Sequence, residues 1–172
     1  VSVGNGRDAV ALLLRLAAWW EAREMDETAH RWTTRVLDVV PLDPSQHARV
    51  LALRGTLMTH ADPEGARADM LAALPQLELD ADGEALVLTH AGLALELTTS
   101  GRHHEAAGHA AQGVEAARRW NPSRLAVALA VQAAVSVETD PELAERVAGE
   151  AFDLLLTTDV GDDTSGVAAN VA

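Results

Sequence analysis

A glycine set between two apolar helical runs constrains this chain more than any other feature. From Glu84 to Thr99 the residues are almost wholly apolar, with Leu86, His90, Leu93, Ala94 and Leu97 three or four apart. Beyond the hexapeptide Gly101-Arg102-His103-His104-Glu105-Ala106, the residues Ala110, Gly113, Val114 and Ala117 continue that spacing. Such steps place side chains on one face of an α-helix. Gly101 can take the left-handed conformation that ends one helix and turns the chain back. Gly83 to Trp120 therefore reads as a helical hairpin with a very short connection. A lone hairpin cannot bury both of its apolar faces, so the rest of the chain has to supply neighbours.

Those neighbours are built from small and branched residues. Of 172 residues, 48% are hydrophobic, yet there is one Phe, four Trp and no Tyr. A core of Leu, Val and Ala favours closely packed helices over sheets. Strand alternation is not sustained, and Gly and Pro are read as falling between apolar runs rather than inside them. The fold class is all-α, and the length requires only one core. With 13 basic against 26 acidic residues the formal charge is -13. A phosphate backbone is repelled by such a surface, so no direct nucleic-acid contact is expected. No stretch is apolar for long enough to cross a membrane as a helix. The absence of Cys excludes disulfides and Cys-based zinc sites and fits a cytoplasmic setting. Val1 to Arg7 has neither an initiator Met nor the regions of a signal peptide, so the chain is expected to be a piece of something longer.

Taken in order, residues 1–7 read as a frayed lead-in to a helical domain over 8–158. Four hairpins follow, at approximately 8–41, 45–75, 83–120 and 123–157. Asp8 is placed to cap the first helix, and Asp26 starts the second. Asp62-Pro63 and Asp140-Pro141 open the fourth and eighth in the favoured cap-then-proline order. Pro75 is expected to end the fourth helix, and Ser123 to cap the seventh. The segment 159–172 reads as a flexible tail or the start of a further helix.

Laid over one another, the hairpins repeat. Leu13-x2-Leu16-Ala17-x2-Trp20 leads from Ala17, twelve residues on, to Ala29. Val50-x2-Leu53-Arg54-x2-Leu57 leads likewise to Ala66. His90-x2-Leu93-Ala94-x2-Leu97 leads to Ala106, and Ala128-x2-Val131-Gln132-x2-Val135 to Ala144. The steps between these alanines are 37, 40 and 38 residues. The pattern over Asp8 to Leu156 resembles the tetratricopeptide repeat, whose hairpins stack into a right-handed solenoid. Its strongest match is Gly101 to Ala106, similar to the family's Gly-x-x-x-Glu-Ala turn. Arg54 and Gln132 stand where the family prefers Gly or Ala, and His90 and Ala128 where it prefers a large residue. The run Leu14-Arg15-Leu16-Ala17-Ala18-Trp19-Trp20, with Ala29-His30-Arg31-Trp32, is similar to the C-terminal repeat region of actinobacterial antibiotic-regulatory and LuxR-type transcription regulators. That resemblance implies a non-enzymatic interaction or sensor domain, with DNA binding and nucleotide hydrolysis left to other modules.

The family's facing implies a concave binding surface lined by the first helix of each pair. It would hold Leu14, Ala18 and Glu21, then Leu51, Gly55 and Met58, then Leu88, Ala91, Leu95 and Thr98, then Leu129 and Ala133. This strip is apolar and nearly uncharged, which suits an amphipathic helix of a partner or neighbouring domain. A pocket for a hydrophobic small molecule, a homodimer contact, or a superhelix that fills its own groove remain open at this point. Trp19 and Trp20 are about 100° apart on one helix. Either one fills the first core with Trp32 and the other meets a neighbouring domain, or both are buried within this chain. His103, His104 and His109 straddle a turn, and Glu105 with His109 supplies only two ligands on a face, so no metal is expected. No nucleophile-base-acid set or phosphate loop appears, so neither enzymatic activity nor a cofactor is expected.

Overall fold

The computed structural model describes residues 6–157. They form eight α-helices: α1 (Gly6–Glu21), α2 (Asp26–Val39), α3 (Pro44–Met58), α4 (Pro63–Leu79), α5 (Gly83–Thr99), α6 (His103–Trp120), α7 (Leu125–Ser136) and α8 (Pro141–Thr157). No strand occurs among the described residues. The tail over 159–172 lies outside them.

Local chemistry accounts for the helix boundaries. At α3, Asp43 Oδ1 accepts from the Gln46 amide at 2.8 Å while Gln46 Oε1 accepts from the Asp43 amide at 3.2 Å, a reciprocal cap. Asp62 accepts from the Gly65 amide at 3.1 Å and Asp140 from the Leu143 amide at 2.9 Å. Both sit before a proline, as the sequence predicts. At the end of α5, Gly101 has φ +73°. The Gly101 amide donates to Thr98 O at 3.0 Å and the Arg102 amide to Leu97 O at 2.8 Å, so two orphan carbonyls are satisfied in a glycine-type helix stop.

Five boundary or packing expectations need correction. Gly6 and Arg7 are helical rather than frayed, and Gly6 is buried; Asp8 lies in the first turn instead of capping it. Pro75 does not end α4, which runs on to Leu79. Ala66, Met70, Ala73 and Leu77 form one fully buried stripe, so stopping at Pro75 would strand Leu77 outside the core. Pro75 itself lies on the exposed side, where water can replace the lost backbone bond. Ser123 caps nothing: it sits in a single 3-10 turn (Pro122–Arg124) and its hydroxyl donates to Asn121 Oδ1 at 2.6 Å. Finally, Trp20 is buried in the first core as expected, but Trp32 is exposed.

Each helix packs on its hairpin mate, and α2, α4 and α6 also pack on the helix that follows. In addition α1 touches α3, α3 touches α5 and α5 touches α7. The apolar interior is correspondingly distributed. One cluster gathers Val10, Leu13, Trp20, Val50 and Met70. A second runs from Ala48 and Leu77 through Val114 to Val147, and a third joins Ala94, Leu97, Ala110 and Val135. The four repeat alanines, Ala29, Ala66, Ala106 and Ala144, are all buried, which lets the paired backbones approach closely. Gly83 serves the same end between hairpin termini: a Cβ there would lie 2.6 Å from Trp120 Cβ and 2.8 Å from its carbonyl carbon.

Candidate functional site

The odd-numbered helices carry the predicted binding residues, and the structure divides them into two groups. Leu14, Leu88 and Leu95 are 46%, 43% and 47% exposed. Ala18 and Glu21 on α1 are exposed beside Leu14, while Ala91 and Thr98 on α5 are half-buried beside Leu88 and Leu95. On α3, Leu51 is half-buried against the central cluster, and on α7 Ala133 packs partly into the same cluster. The other three predicted contacts are not available to a partner. Gly55 is buried against Met70 and Ala66, and Met58 and Leu129 are core residues. The predicted residues that keep accessible surface are Leu14, Ala18 and Glu21 on α1, Leu51 on α3, Leu88, Ala91, Leu95 and Thr98 on α5, and Ala133 on α7. The leucines among them are large apolar surface on a molecule of charge -13.

Spacing places these side chains where they are. Leu88, Ala91, Leu95 and Thr98 follow steps of three and four, so they form one stripe along α5. The stripe that includes Leu86, His90, Leu93 and Leu97 is buried instead. A uniformly apolar α5 thus has two faces with different duties, which hydrophobic periodicity cannot tell apart. Of the two tryptophans weighed for a domain contact, Trp20 is buried, whereas Trp19 is exposed with the Arg23 guanidinium 5.2 Å over its ring. Leu12, also exposed, lies on the same side of α1 by helical geometry.

Polar groups inside the fold hold helices together. Glu96 is buried on α5 and accepts from Arg67 Nη1 of α4 at 3.1 Å and from the Ser100 hydroxyl at 2.8 Å. Arg54 of α3 donates to both oxygens of Asp69 on α4, at 2.6 and 2.8 Å, and to Thr34 Oγ1 of α2 at 3.0 Å. The Asp69 hydrogen bond raises the Arg54 pKa above its ordinary value. The Arg54 guanidinium thereby ties α2, α3 and α4 together. A recess of about 250 Å³ opens beside it, lined by His30, Thr34, Met58, Asp62 and Asp69 among others. Its walls are mixed in charge, and its guanidinium is already engaged.

Sequence reasoning did not pair His90 with His109. The His90 and His109 Nδ1 atoms lie 3.2 Å apart across the α5–α6 hairpin, with ring centroids 5.4 Å apart. His103 instead points to Glu138, its Nε2 lying 3.5 Å from Glu138 Oε2. Among the described residues, no group of three or more His, Cys, Asp or Glu could hold a metal ion, and no helix is long and apolar enough to cross a membrane. No family model, curated protein or solved structure matches the chain.

Proposed function

We propose that the eight helices form a right-handed solenoid of four tetratricopeptide-like hairpins whose odd-numbered face binds an amphipathic helix of a partner protein or neighbouring domain. The observation that carries this reading is the exposure of the large leucines Leu14, Leu88 and Leu95 on a strongly acidic molecule. The exposed leucines at steps of helical spacing on α5, Leu88 and Leu95, suit a partner whose anchors recur at that spacing. Packing restricted to adjacent hairpins supports the solenoid reading. The exposed Trp19 and Leu12 support a contact between α1 and a preceding domain, as expected of the regulatory repeat region of a bacterial transcription regulator.

The test is a double substitution, Leu88→Glu with Leu95→Glu. Both side chains are about half exposed, so the fold should survive and the helical circular dichroism signal stay unchanged. Binding of a panel of amphipathic helical peptides, followed by fluorescence anisotropy, should weaken at least tenfold, about 1.4 kcal/mol. Equal binding by the parent and the double variant would remove this face from consideration.

A further inference from the structure

We infer that His90 and His109 form an acid-sensitive clasp that holds α6 against α5 and lets the two helices separate when both imidazoles are protonated. This goes beyond any reading of the apolar face and does not depend on it. The geometry requires one nitrogen to donate and the other to accept, because the two Nδ1 atoms face each other at 3.2 Å. A neutral pair satisfies that requirement with one imidazole in each tautomer. A doubly protonated pair puts two N–H donors and two positive charges face to face.

The surroundings give the added charge little support. His90 is buried, and Gly113 on α6 lies opposite its Cβ, a hypothetical Gly113 side chain meeting it at 3.4 Å. From α6, Glu105 and Gln112 act on His109, Gln112 by a hydrogen bond, and both favour its charged form. Glu105 is itself held by Arg102 at 2.6 Å, so its charge is largely spent there. From α4 comes Arg67, engaged with Glu96 of α5. On α3, Thr56 lies near Gly92 of α5, and on α7 Val131 and Val135 pack against Ala94, Leu97, Ala106 and Ala110; none of these titrates. Burial is the main cause that lowers the pKa of both imidazoles, and His109 adds to the lowering at His90, which falls to about 4 from 6.5.

The folded state prefers neutral imidazole, so the unfolded or opened state binds more protons between about pH 6.5 and pH 4. Stability from the clasp is therefore complete above pH 6.5 and is lost as the pH falls toward 4. At pH 5 the opening equilibrium of α5–α6 should exceed its value at pH 7 by roughly twentyfold, from the His90 titration alone.

Hydrogen exchange on the whole chain tests this, with amide rates corrected for the intrinsic effect of pH. Between pH 7 and pH 5, amides of α5 and α6 should open roughly twentyfold more often, while those of α3 and α4 change far less. In His90→Leu, which keeps an apolar side chain at the site, the two hairpins should respond alike. If α5–α6 stays equally acid-sensitive in that variant, the clasp is refuted. Should His90→Leu fail to fold, an NMR titration of the parent decides: a buried imidazole titrating well below 6.5 upholds the clasp, and one titrating near 6.5 overturns it.

Discussion

Ala81 sits with φ 51°, a left-handed conformation in which its Cβ crowds the following carbonyl. The same two bonds seen at Gly101 occur around it. The Ala81 amide donates to Glu78 O at 3.1 Å and the Asp82 amide to Leu77 O at 3.1 Å. Glu24, with φ 52°, is held the same way by bonds to Glu21 O and Trp20 O. Three helix stops therefore share one geometry, and only one of them uses the residue that adopts it freely. Replacing Ala81 with Gly should stabilise the protein by about 1 kcal/mol, read as a higher midpoint in urea. A lower midpoint would mean that the extra freedom of glycine in the unfolded chain outweighs the relieved strain. The stop at Gly101 was legible because glycine advertises it. Those at Glu24 and Ala81 carry no such mark, and the one at Ala81 lies beyond Pro75, where the sequence reading ends the helix. Trp32 was misplaced for a related reason. Spacing puts Trp32 on the same side of α2 as Ala29 and Val36, but Ala29, Thr33 and Val36 are the residues that face the core.

At the scale of an element, α4 and α5 are joined by an ion pair as well as by leucines. The Glu96 side chain has no exposed surface, and Arg67 is a quarter exposed. Removing one partner of such a pair leaves an uncompensated buried charge, whereas replacing both by apolar groups of similar size costs little. Arg67→Met should therefore destabilise by about 3 kcal/mol, and adding Glu96→Leu should restore most of that loss. Chemical denaturation of the two variants measures both steps. If the double variant is no more stable than the single one, the pair contributes through geometry rather than charge. Nothing in the spacing of Arg67 and Glu96 announces this contact. They are 29 residues apart on different helices, and a glutamate in the apolar run of α5 reads equally well as a solvated residue. The Pro75 error belongs here too. The local rule for proline was sound, but a buried Leu77 two residues later outweighs it.

For the whole molecule, the repeat period was the most informative signal in the sequence, because four alanines at near-constant steps mark where helix pairs must meet. All four are buried. What the period leaves out is which exposed face each helix keeps. Leu88 and Leu93 are both leucines on α5, and only packing separates an open strip from a core stripe. Packing between adjacent hairpins has a consequence for how the molecule loses structure. If stability is a sum over hairpins and the contacts between them, cutting the chain after Asn121 removes α7 and α8 without touching the core around Val10, Leu13 and Trp20. The loss falls on α5 and α6, where Ala116 and Trp120 pack into a cluster shared with Leu129 and Val147. The shortened chain should keep a helical circular dichroism spectrum in proportion to its remaining helices, melt cooperatively, and do so at a lower temperature. Hydrogen exchange should show the added opening in α5–α6 and leave α1–α4 close to the parent, since mutual protection reaches only the adjacent hairpin. Collapse of the entire chain on this truncation would instead require one shared core, and the solenoid reading would go with it.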